Sequence, residues 1–105
     1  MEGFGWLVTL SGAGSVTLVK PAQVGKQHII YGFDISSGFG VASIIIQIQD
    51  GGTIIWKGRC FNTLGSTREV IFLKGVSITR GNACSIIATK ADGTLDVNLH
   101  GITRG

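Results

Sequence analysis

The stretch Ala42-Ser43-Ile44-Ile45-Ile46-Gln47-Ile48-Gln49-Asp50-Gly51-Gly52-Thr53-Ile54-Ile55-Trp56-Lys57-Gly58-Arg59-Cys60 decides the fold class. In an extended chain successive side chains point to opposite faces. That rule puts Ile44, Ile46 and Ile48 on one face, opposite Ser43, Gln47 and Gln49. Asp50-Gly51-Gly52 supplies residues that accept positive φ, which a tight hairpin turn needs. Residues 53–60 are rich in strand-forming side chains and make the returning strand, with Trp56 at its middle.

Working outward, residues 27–35 alternate in the same way. Ile29, Tyr31, Phe33 and Ile35 share one face, with His28, Gly32 and Asp34 on the other. Upstream, residues 4–10 and 15–20 form two strands separated by Ser11-Gly12-Ala13-Gly14, and Pro21, which cannot donate to a ladder, ends the second. Downstream, residues 62–67 form a polar loop and residues 69–73 a sixth strand. Residues 74–82 hold a short Val-Ser-Ile segment and end in the turn Arg80-Gly81-Asn82. Residues 83–89 form a seventh strand and Ala91-Asp92-Gly93 a second hairpin turn. Residues 95–102 form an eighth, with Leu95, Val97 and Leu99 inward and Asp96, Asn98 and His100 outward. No window of eleven residues combines helical spacing with freedom from glycine. Eight short strands with regular turn signals predict an all-β, eight-stranded antiparallel β-sandwich, with the strand number of a jelly roll. Residues 1–105 form one domain, in which residues 1–14 are either an N-terminal arm laid on a neighbouring subunit or an edge strand.

Composition points away from chemistry and toward contact. The 105 residues are 44% hydrophobic and only 14% charged, against about 25% charged in average soluble domains. A small domain cannot bury all of that apolar content, and exposed apolar area is what partners cover. Net charge is +3 and the bases are scattered, unlike the clustered Lys and Arg of nucleic-acid binders. No apolar run is long enough to span a membrane as a helix. The first 15 residues lack a basic start and are broken by four glycines, so no secretion signal is expected. Cys60 and Cys84 are two isolated cysteines in apolar strands, expected to be buried and reduced and not disulfide-bonded.

No acid, base and nucleophile fall into a catalytic pattern, so no enzyme is expected. His28 and His100 have no third ligand beside them in sequence, and each is expected to be a surface side chain making a hydrogen bond; no metal and no cofactor are expected. Gly3-Phe4-Gly5 and Gly12-Ala13-Gly14 complete no dinucleotide fingerprint. Asp50 and Asp92 fall in turns, where aspartate has a structural task. Trp6, Trp56, Tyr31 and Phe61 are the aromatics a sugar ring could stack on, with core filling the plainer reading of Trp56 and Tyr31. Phe4, Trp6 and Phe61 adjoin glycine or polar loop residues and are the candidate interface residues.

The ordered pattern of the chain resembles a known family. The segments are Gln27-His28-Ile29-Ile30-Tyr31-Gly32-Phe33-Asp34-Ile35, the isoleucine hairpin quoted above, Arg80-Gly81-Asn82-Ala83, and Asp96-Val97-Asn98-Leu99-His100-Gly101. Together they resemble the small jelly-roll or β-sandwich proteins encoded near the major capsid gene of tailed bacteriophages, which serve as capsid decoration or cement proteins. The resemblance covers roughly residues 20–102 and carries over no individual functional residue. It implies a structural virion protein on the outer capsid surface, made in the host cytoplasm, with the major capsid protein and itself (as a homodimer or homotrimer) as partners. The alternative is a phage tail or fibre domain, or a lectin-like domain that recognises a host-surface glycan.

Overall fold

The computed structural model describes residues 4–37, 43–60 and 67–105. Six strands make up the described chain: β1 Phe4–Lys20, β2 Gln27–Ser37, β3 Ile44–Asp50, β4 Thr53–Cys60, β5 Thr67–Ser77 and β6 Cys84–Arg104. All pairings are antiparallel, and there is no helix among the described residues. The all-β expectation holds, and the count of eight is corrected to six. The two segments around Ser11–Gly14 are one 17-residue strand, and those around Ala91–Gly93 are one 21-residue strand. Glycine-rich composition marks a bend as readily as a reversal. Here β1 and β6 run together through both breaks, with a register shift between Ala13 and Ser15 and positive φ at Gly14 and Gly93. Such shifts bend a ladder without ending it.

The six strands form one sheet in the order β4-β3-β6-β2-β5, with β1 on the other side of β6. Residues 84–90 of β6 pair with β3, and residues 95–104 pair with β2. The long ribbon of β1 and β6 therefore joins two half-sheets. One holds β2 and β5, the other β3 and β4. The halves fold toward each other and share one core. Ile30, Phe33, Ile35, Leu95, Val97 and Leu99 come from the first half, and they cluster with Val16, Leu18, Ile44, Ile46, Ile48 and Ile86 from the second. Phe33 of β2, Trp56 of β4 and Phe72 of β5 meet edge to face or tilted, with centroids 5.5 to 6.2 Å apart. That trio closes the side where β4 and β5 face each other without a ladder.

The isoleucine hairpin is as expected. Gly51 takes φ 60°, Asp50 pairs with Thr53, and Ile44, Ile46 and Ile48 are buried. Gly81 likewise takes positive φ in the turn after Arg80. The alternation of β2 is corrected. Its register shifts between Ile30 and Gly32, so the inward set is Ile30, Phe33 and Ile35, not the unbroken odd series. The same shift turns His28 inward, to 1% exposure. A disulfide between Cys60 and Cys84 is ruled out by register. Cys60 pairs with Ile44 and Cys84 with Asp50, at opposite ends of β3, some ~20 Å apart along the strand. Cys84 is free and buried.

Candidate interaction surface

Trp6 sits in β1 opposite Gly101 of β6. A Cβ at Gly101 would lie 2.8 Å from the indole and 2.1 Å from the carbonyl oxygen of Ile29. Only glycine lets the ring lie flat on β6 and lets β2 pass so close. The ring is half-buried against the core, and its Nε1 is buried without a hydrogen-bond partner. His28 meets it edge-on at 5.9 Å, and Lys20 places its Nζ 5.3 Å from the ring centroid. His28 is held in turn: its Nε2 lies 2.8 Å from the Pro21 carbonyl oxygen and its Nδ1 2.7 Å from Thr103 Oγ1. A carbonyl only accepts, so Nε2 carries a proton, and in the neutral ring Thr103 donates to Nδ1. His28 is thus a satisfied interior histidine, not the surface residue expected from unbroken alternation. His100 faces outward as expected, with its ring over Gly32.

Beside Trp6 opens a half-enclosed cleft of about 340 Å³, lined by Gly5, Trp6, Lys20, Gln23, Lys26, Thr103 and Gly105. Its charged side chains are those of the two lysines. Of the other candidates expected from the sequence, Phe4 opens β1 opposite Thr103, and Phe61 lies outside the described residues. Trp56 and Tyr31 are both half-buried, with Trp56 in the core trio. No group of three His, Cys, Asp or Glu capable of holding a metal occurs among the described residues. Asp50 has the structural task expected, although it pins a neighbouring turn more than its own. Its carboxylate accepts from the Thr79 amide, Thr79 Oγ1 and Asn82 Nδ2 at 2.7 to 2.9 Å. Partial burial pushes its pKa up, and these three hydrogen bonds outweigh that and hold it below the ordinary value. Burial pushes the Cys84 thiol up to about 12.

The free edge of β1 is a surface that the sequence alone does not assign. Among the described residues β1 pairs with β6 alone. Natural edge strands are blunted by charge, proline or shortness. β4 carries Lys57 and Arg59, and β5 carries Arg68, Glu69 and Lys74. β1 runs 17 residues with no proline and no charge before Lys20. Leu7, Leu10 and Val19 stand exposed along it. Its missing charges are legible in the sequence, which also offers an edge strand as one of two readings of residues 1–14; the pairing of the whole strand with β6 alone is not legible there.

No family model matches the sequence, and no curated protein matches it significantly. The fold is similar to part of an insecticidal delta-endotoxin from Bacillus thuringiensis, with TM-score 0.53 at 10% identity over 90% of this chain. This chain spans 19% of that toxin's length. It is also similar to the Drosophila NLP-core, with TM-score 0.50 at 19% identity, over 96% of this chain and 98% of that one. A protein of infectious bursal disease virus, Gt strain, gives TM-score 0.45 at 13% identity over 96% of this chain and 32% of its own. At such identities a likeness establishes the fold alone.

Proposed function

We propose that this chain is a structural protein that works by assembly, as a cement protein on the outer surface of a phage capsid. The carrying observation is the free edge of β1, which bends at the register shift between Ala13 and Ser15 but carries no proline and no charge before Lys20. An edge that long and uncharged is a template for another strand, and evolution normally removes such templates where no strand is meant to pair. The exposed leucines and valine beside it add the apolar area that an interface core needs. The resemblance of residues 20–102 to cement proteins supplies the capsid as partner. Binding only to the assembled shell stabilises that shell by mass action, with no catalysis and no cofactor. The protein is made in the host cytoplasm and resides in the virion, in contact with the major capsid protein and with copies of itself, with no role for nucleic acid or membrane.

The test is direct. The protein co-sediments with capsids in high copy and raises their rupture temperature. Leu10→Lys puts a charge on the β1 edge and lowers capsid occupancy while the isolated fold keeps its stability. If stripped shells rupture at the same temperature as coated ones, the reading fails.

The cleft beside Trp6 favours a second reading, a tail, fibre or lectin-like domain that recognises a glycan. Its size matches a small ligand, and a tryptophan edge with polar neighbours suits a sugar. Lys20 over the ring face works against stacking. Saturable sugar binding lost in Trp6→Ala, and unaffected by Leu10→Lys, distinguishes this reading from the first.

A further inference from the structure

The outer faces of the two half-sheets carry opposite charge in matching rows. Inward side chains are fixed by the core, so their alternates face out. On the half-sheet of β2 and β5, the second row from the bend reads Thr9, Asn98, Asp34, Glu69 across β1, β6, β2 and β5. On the half-sheet of β3 and β4, the corresponding row reads Thr17, Ile87, Gln47, Lys57. The rows nearest the bend put Asp96 on the first face and Arg59 on the second. The third rows both bear exposed apolar residues at their two ends. These are Leu7 and Ile71 on the first face, at 63% and 60% exposure, and Val19 and Ile54 on the second, at 46% and 43%.

The folding of the sheet aligns these rows. Lys20 reaches Trp6 across the bend of β1, and Trp56 of β4 meets Phe72 of β5. The two arms of β1 therefore lie opposite each other, and β4, whose Trp56 meets Phe33 of β2 as well as Phe72 of β5, lies opposite the β2–β5 pair. A second copy translated onto the first face would bring its Lys57 to the Asp34–Glu69 pair, its Ile54 toward Ile71 and its Val19 toward Leu7. A further observation favours an incoming cation. Glu69 and Asp34 are direct cross-strand partners, and like charges so placed destabilise a sheet. Asn98 Nδ2 donates to Asp34 at 2.6 Å, which settles one carboxylate and leaves Glu69 exposed.

We infer that copies of this chain stack head to tail, the acidic outer face of β2 and β5 against the basic outer face of β3 and β4 of the next. The two faces lie on opposite sides of the molecule, so the contact is heterologous and repeats in a line. This inference stands on charge and apolar residues of the sheet faces; it shares Leu7 and Val19 with the surface beside the β1 edge but needs no strand pairing along that edge. Leu10→Lys, which tests the capsid reading, leaves the residues that form the contact in place.

The experiment is sedimentation velocity on the purified full chain over a range of concentration at low and high salt. Mass grows with concentration past the dimer and falls back as salt screens the charges. Lys57→Glu and Glu69→Lys each lower the association constant about tenfold or more, the scale of a close interfacial charge pair. The chain carrying both substitutions recovers most of the loss, because the swapped charges meet again across the contact. Circular dichroism shows each variant folded, as expected for exposed positions. A monomer at every concentration, a closed dimer, or a double variant no better than the singles overturns the inference.

Discussion

Trp6 and Lys20 stand fourteen residues apart on one strand, yet the Lys20 ammonium lies 5.3 Å from the centre of the Trp6 indole. Fully extended, that stretch would span ~46 Å. The contact measures how far β1 doubles back at Gly14, and it places the indole at the open end of the shared core. Trp6→Ala is therefore expected to lower stability by about 2–4 kcal/mol, with loss of packing against Gly101 and His28 the main cause. Trp6→Phe keeps most of it. Lys20→Met costs at most about 1 kcal/mol, the scale of a surface cation over a ring. Urea denaturation of the three variants checks the order.

Glycine tolerance should divide sharply by position. A methyl at Gly101 would lie 2.1 Å from the Ile29 carbonyl oxygen, a backbone atom that cannot swing aside. Gly101→Ala is expected to cost about 3 kcal/mol or more, since a strand pair must part. Gly52 has open space where its Cβ would stand and no positive φ. Gly52→Ala is expected to fall within about 0.5 kcal/mol of the parent. Thermal melts of the pair test the contrast.

Asp50 links stability to pH. Its folded pKa lies below its unfolded value, so its contribution is fully present above the unfolded value, about 3.9. The contribution is lost as pH falls through the lowered folded value. Asp50→Asn should flatten the acid side of the stability curve between about pH 5 and pH 2, and should lower stability at neutral pH. Urea midpoints at several pH values give the comparison. An unchanged acid limb would show that other carboxylates govern it.

Cys84 is expected to be inert while the protein is folded. With its thiol pushed up to about 12, roughly one molecule in ten thousand carries the thiolate at pH 8. In a Cys60→Ser background, labelling by iodoacetamide should follow the opening of the fold and accelerate with urea in proportion to unfolding. Fast labelling without denaturant would contradict the burial.

Much of this surface is legible before the pairing is known. The inward and outward sets of residues 95–100 and of the isoleucine hairpin follow from alternation alone, because each strand is bounded by core on one side and the hairpin's register shift, between Ile48 and Gln49, comes after its last buried isoleucine. That already puts Asp96 and His100 outside, and alternation in residues 32–35 does the same for Asp34. What alternation misses is a register shift. Tyr31 carries no compositional sign of one, and it turns His28 from an outer residue into an inner one. The Ser11–Gly14 and Ala91–Gly93 segments mislead for a different reason: a bend and a hairpin turn ask for the same residues, and only the partner strand decides between them. The free edge of β1 and the opposed faces need the sheet order, which depends on contacts far apart in sequence.

The ladder between β1 and β6 also has a temporal side. Phe4 pairs with Thr103 and Lys20 with Cys84, so the opening strand finds its partner only after nearly the whole described chain has been synthesised. Pairings this remote must overcome large loop-closure entropy and make folding slow. During translation β1, uncharged up to Lys20, is left without a partner, while the β3–β4 hairpin can already close on itself. The same strand that offers the finished protein an edge is thus the segment most exposed to mispairing while the protein is being made.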